Sequence, residues 1–187
     1  VGKEGEPLST YDFASDKNPK KDVARGMMRM LRSVNDQLMK IQPDKADRVN
    51  MACQTCHRGL TRPRTLAEEL TLTYDKAGAD SAVAEYRSLR FRYLDAGAYD
   101  FREGSLEDPI LRATAKKDWA GAVALCRLGA EMFPGSAGVH ANLGDAALAA
   151  GDTVQAIASY ERAVSLDPKR KDAADSLERL RPTRKSD

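Results

Sequence analysis

Apolar positions early in the chain recur at steps of three and four. Val23, Met27, Met30, Leu31, Val34, Leu38 and Ile41 form one stripe of an amphipathic helix. Asn18 followed by Pro19 predicts the start of that helix, with the asparagine as cap and the proline in the first turn, and Pro43 predicts its end. Ahead of it, VGKEGEPLSTYDFASDKN mixes Gly, Pro, Ser and Asp without a period, so residues 1–18 read as an extended loop. After a polar loop, CQTCHRG reads as a short helical turn closed by Gly59, and Thr61 to Arg64 as a stiff connector.

Beyond residue 64 the pattern changes. Thr65-x-x-Glu68 is a capping box that opens a region rich in Ala and Leu. Leu143, Gly144, Ala147, Ala156, Tyr160, Ala163 and Pro168, with a Gly151-Asp152 turn between two helices, make the segment 137–168 resemble the tetratricopeptide repeat. Stepping back 34 residues places Ala122, Cys126, Gly129 and Pro134 at equivalent positions, and a further 40 places Ala82, Tyr86 and Leu89 there. The expected repeats are therefore about 65–95, 105–135 and 137–168. A polar capping helix over 169–181 would give the open end of the stack a solvated face. Nothing predicts strands, so the fold class is all-α: a small module over 1–64 followed by a helical-repeat solenoid over 65–187.

Composition narrows the function classes. The 187 residues, 42% hydrophobic and 31% charged, suffice for one mid-sized domain or two small ones. No run approaches the roughly 20 apolar residues of a membrane helix. Residues 1–64 carry 13 Lys/Arg against 8 Asp/Glu, a balance of +5, and the remaining 17 against 20 give −3, which together make the net +2. That is too weakly basic for a nucleic-acid binder, and no base-reading motif accompanies it. The chain opens at Val1 with neither an initiator Met nor a leader, which reads as a processed or truncated start. The run Arg179, Arg181, Arg184 and Lys185 reads as a solvated tail, with docking to an anionic surface as the second reading.

The chemistry concentrates in Cys53, Cys56 and His57. On a helical turn, C-x-x-C points both sulfurs to one side, where each adds across a vinyl group of a haem, and the adjacent histidine lies under the iron. Two other readings use the same cysteines. A thioredoxin-like redox pair needs a preceding strand and a long following helix, neither of which is legible. A zinc site would need Cys126 and His140 as well, both far along the chain without metal-site spacing. For the sixth ligand the chain offers six methionines and one other histidine. Met27 and Met30 lie on the stripe, and Met28 points about 100° away. Methionine on such a stripe is also ordinary core filler. His140 is a further candidate ligand, or a repeat residue facing a groove. Cys126 reads as a small filler where the repeat usually holds an aromatic, and Trp119 and Phe133 read as core. Two histidines, one committed to iron, leave no catalytic triad to assemble.

The run DFASDKNPKKDVARGMMRM, then Asn35, then CQTCHRG resembles the cytochrome c subunit family of photosynthetic reaction centres and its stand-alone relatives, over about residues 7–64. The resemblance implies Met27 as distal iron ligand, Met30 as a packing methionine, His57 as proximal ligand, and Asn35 and Arg58 beside the cofactor. The histidine that serves a second haem late on this helix in the tetrahaem subunit is replaced near Ile41. One haem c per chain is therefore expected, although family members often carry an earlier C-x-x-C-H just where this chain begins. The implied function is electron transfer outside the cytoplasm, in the periplasm or beyond the cell. Its partner would be a redox protein or a neighbouring haem-containing subunit docked through the repeats, with Arg25, Arg29, Arg58, Arg62 and Arg64 steering an acidic surface. A polymerising cytochrome that forms a haem chain, a scaffold with structural haem and a peroxidase-type enzyme are the rival readings.

Overall fold

The computed structural model describes residues 14–42, 44 and 49–180. The expected loop before residue 14, the helix stop at Pro43 and the basic tail at Arg181, Arg184 and Lys185 lie outside these. The described residues are helical and contain no strand: α1 (Lys20–Ile41), α2 (Cys53–His57), α3 (Leu66–Tyr93), α4 (Glu107–Ala115), α5 (Trp119–Met132), α6 (Ala137–Ala149), α7 (Thr153–Leu166) and α8 (Lys171–Leu180), with one 3-10 turn at Glu103–Leu106 before α4. The chain divides into two compact units, Val1–Thr61 and Arg62–Asp187. The division falls inside the expected connector, and Arg64 is tied into the second unit by an ion pair to Glu69 at 3.2 Å.

In the first unit, Asn18 caps α1 by accepting the Lys20 N–H on its side-chain oxygen at 3.0 Å. The stripe differs from expectation in burial. No residue of α1 is buried; Leu31, Val34 and Leu38 are half-covered, and Val23, Met27, Met30 and Ile41 are exposed. The protein atoms of this unit alone therefore leave much of an apolar helix face in contact with water, a costly arrangement unless something else covers it.

In the second unit the helices pack in sequence: α3 on α4 and α5, α5 on α6, α6 on α7, and α7 on α8. The box at Thr65 forms as read, with Thr65 accepting from Glu68 N–H at 3.1 Å and Glu68 accepting from Thr65 N–H at 2.8 Å. α3 is two helices in one span, broken at Gly78, whose φ of 82° and ψ of 179° only glycine adopts at low cost. Three helical hairpins result, the two halves of α3, α4 with α5, and α6 with α7, followed by α8.

The 34-residue register explains the packing. Asp118 caps α5 by accepting from Gly121 N–H, and Asp152 caps α7 by accepting from Gln155 N–H, both at 2.9 Å. Lys117 holds a φ of 57° where Gly151, one repeat later, holds 83°. Gly144 makes room for Tyr160, since a Cβ there would lie 2.6 Å from the tyrosine ring. One repeat earlier the same two positions carry Ile110 and Cys126, so a large and a small residue have exchanged places with volume conserved. Cys126 is 1% exposed, a small core filler as expected. Trp119 departs from expectation, because it is only half-buried at the first turn of α5 and borders a groove.

Candidate functional site

The motif helix α2 is shaped by bonds to its immediate neighbours. Ala52 is extended, and its N–H donates to the Thr55 hydroxyl at 2.9 Å, while Thr55 N–H donates to the Ala52 carbonyl at 3.0 Å. Cys53, Cys56 and His57 then fall within an arc of about 100° on one side of the turn. Both motif cysteines are exposed free thiols.

Past His57 the chain turns back sharply, because Arg58 (φ 47°) and Gly59 (φ 82°) are both left-handed. The reversal brings Leu60 N–H to the His57 carbonyl at 2.7 Å and the Leu60 carbonyl to His57 Nδ1 at 2.9 Å. A carbonyl can only accept, so Nδ1 carries the proton in this contact and the lone pair of the neutral ring lies on Nε2. That is the tautomer a metal-ligating imidazole uses, oriented by a backbone acceptor behind it. This donor set, two accessible thiols and one oriented Nε2 on a single turn, fits covalent haem attachment. It lacks the four converging ligands of structural zinc. Cys126, the third cysteine of the zinc reading, is enclosed in the repeat core, where burial foremost pushes its thiol up to about 12 and away from the thiolate form a metal needs.

Asn35 joins this turn to α1. Its side-chain amide donates to the Met51 carbonyl at 2.8 Å and its side-chain oxygen accepts from Met51 N–H at 2.8 Å. Both polar atoms are thereby used on backbone two residues before Cys53, so Asn35 acts as a clamp on the motif. Taking Met27 as reference on α1, Leu31, Val34, Asn35 and Leu38 lie within about −20° to +80°, and Met30 lies near −60°. Met27 thus shares the face that carries the clamp, and Met30 stands at its margin. Exposure agrees in order, at 40% for Met27, 54% for Met28 and 59% for Met30.

The basic residues are not all available for steering. Arg25 pairs with Asp16 and, at 2.9 Å, with Asp22, and its guanidinium holds the Asp16 carboxyl below its ordinary range. Arg64 is engaged by Glu69, whereas Arg29, Arg32, Arg58 and Arg62 have no ion pair among the described residues. His140, the fallback ligand, places Nε2 against the Pro134 carbonyl at 3.1 Å, a bond that steadies the turn before α6. The Asn35 clamp and the Leu60 acceptor are missing from a reading of the motif alone. The left-handed potential of Arg58-Gly59 was the local signal for the second, and the first is a contact between distant residues with no local signal.

Comparison with known proteins finds two family models that each match part of the chain. Residues 7–89 match the family model of the photosynthetic reaction centre cytochrome C subunit, continuing past the motif into α3, and residues 113–180 match that of the tetratricopeptide repeat. Similar solved structures include the first repeat domain of Spaghetti (RPAP3) bound to the HSP90 peptide SRMEEVD and an NMR structure of the first such domain of human RPAP3. Each is 20% identical, covers 62% of this chain and 86% of its own, and has a TM-score of 0.42. No curated protein matches the chain.

Proposed function

We propose that this chain, with a reaction-centre cytochrome segment at its front and tetratricopeptide repeats behind, is an electron-transfer cytochrome that works outside the cytoplasm and docks through its repeats. The observation that carries the reading is the Nδ1 bond of His57 to the Leu60 carbonyl at 2.9 Å, which leaves Nε2 as a ligand beside two exposed thiols. When bound, haem supplies a one-electron ferric/ferrous couple. The protein's part would be to hold it, through thioether bonds from Cys53 and Cys56 and through His57 Nε2 as one iron ligand. Met27 would supply the second iron ligand, a soft thioether sulfur that favours the ferrous state and raises the potential relative to a second imidazole. The exposed apolar residues of α1 supply the dry surface that such a group would cover. No residue is assigned a catalytic role in this reading. Arg29, Arg32, Arg58 and Arg62 remain to attract an acidic redox partner, an attraction that weakens as salt shortens the Debye length to about 8 Å.

The test is direct. Haem should stay with the polypeptide on denaturing electrophoresis and leave when Cys53 and Cys56 are both serine. Met27→Leu should abolish the sulfur-to-ferric-iron charge-transfer band and lower the potential, while Met30→Leu and His140→Ala keep both. Equal loss from Met27→Leu and Met30→Leu, or loss only from His140→Ala, would reassign the ligand. Rapid cyanide binding by the resting ferric protein would favour an open-site enzyme over a carrier.

A further inference from the structure

Between α4 and α6 the repeats enclose a groove of about 370 Å³. Ile110, Leu111 and Trp119 supply apolar surface to it, Asn142 a carboxamide, and Glu107 and Asp145 two carboxylates, and no Lys, Arg or His lines it. Neither carboxylate has an ion-pair partner among the described residues.

Helix chemistry accounts for one carboxylate only. Glu107 opens α4, where negative charge complements the free amides. Asp145 lies in the C-terminal half of α6, where negative charge is disfavoured by the same dipole. It is nevertheless held in place, because its Oδ1 accepts from the hydroxyl of Tyr160 at 2.6 Å, and that tyrosine is 1% exposed. A carboxylate fixed by a buried phenol, set against helix polarity and bordering an apolar groove, is arranged to meet a cation.

We infer that this groove takes a peptide segment of a partner protein presenting a lysine or arginine beside an apolar residue. The cation is met by Glu107 and Asp145, and its aliphatic stem runs along Ile110 and the face of Trp119, where cation–π attraction adds to the ion pairing. The Asn142 carboxamide, with donors and acceptors both, suits the peptide backbone. This rests on the repeats being a docking surface and specifies the chemistry of what docks.

Trp119 is the chain's one tryptophan, so its indole N–H reports on the groove alone. Random short peptides displayed on phage are panned on the holoprotein, on the Glu107→Gln variant and on the Glu107→Gln/Asp145→Asn variant. The single variant leaves the Tyr160 bond untouched should the double one fold poorly. Recovered peptides are synthesised and titrated while the Trp119 indole resonance is followed. The wild-type pool should be richer in Lys and Arg than either variant pool. Its best peptide should shift the indole resonance, bind about tenfold more weakly to the double variant, the effect of about 1.4 kcal/mol, and weaken with salt. Acidic or uncharged peptides that shift the indole would overturn the cation preference and leave the docking role standing. If no peptide shifts it, the groove is not a docking surface, and the haem assignment is then judged by its own tests.

Discussion

Removing the Asn35 side chain tests whether α1 and the motif turn are held together by the clamp. Asn35→Ala deletes two hydrogen bonds of 2.8 Å, one to each polar atom of the Met51 backbone. At a half-buried site each contributes about 0.5 to 1.5 kcal/mol net, or about 1 to 3 together. Alanine returns up to about 0.7 kcal/mol through better helix propensity. The expected net loss is therefore about 0.3 to 2.3 kcal/mol, from just under twofold to about fiftyfold in the equilibrium between clamped and open arrangements. Because Met27 and His57 are carried by the two joined pieces, opening should appear first as loss of distal ligation. In a urea titration of the ferric holoprotein, the sulfur charge-transfer band should vanish at lower urea in Asn35→Ala than in wild type. Asp36→Ala, at the next and exposed position, should leave the midpoint in place. Coincident midpoints for Asn35→Ala and Asp36→Ala would refute the clamp.

Three further perturbations probe the repeats. Lys117→Gly relieves a left-handed residue at the position where the next repeat has Gly151, and should stabilise the unit by about 1 kcal/mol, read as a higher thermal midpoint; an unchanged or lower one defeats the argument. Gly144→Ala places a Cβ 2.6 Å from the Tyr160 ring and should cost about 1 to 3 kcal/mol, checked by chemical denaturation, with no change expected if the helices separate freely. Asp75 is held from 3.8 down to about 2, first by its hydrogen bond to Arg112 and then by that to Lys116. Since its folded value is the lower, the stability it contributes is complete above about pH 4 and lost as pH falls towards about 2. Asp75→Asn should flatten that part of the acid-unfolding curve, and an unaltered acid limb would show the pair to be idle.

Features visible in the sequence were those fixed by short-range rules. The capped start of α1, the box at Thr65, the Gly151-Asp152 turn and the C-x-x-C-H turn each depend on residues a few positions apart. The sequence predicts a capping helix over 169–181, and α8 spans Lys171–Leu180. The break at Gly78 lies in an Ala-rich run that carries helix periodicity on both sides, so only the glycine itself marked it. Trp119 is expected in the core, yet its position at the first turn of α5 leaves it at a groove edge. The exchange of Ile110 and Cys126 for Gly144 and Tyr160 can be seen only when both helices of a hairpin are compared, because each residue is unremarkable in its own helix. The stripe of α1 is present as a pattern but is not buried, since periodicity says which residues share a face and nothing about what covers it.

The double left-handed turn at Arg58 and Gly59 bears on the order of events when the chain first leaves its site of synthesis. Among the described residues, the bonds of Ala52 with Thr55 and of His57 with Leu60 lie within the segment 52–60. Loops this short close in about 10 to 100 ns, ahead of the about 0.1 to 1 μs in which a helix of the length of α1 forms. The thiols and the imidazole can thus be presented together on a chain whose helices have yet to assemble. Attachment chemistry could then precede tertiary folding, and the apolar face of α1 would find its cover already anchored when it docks.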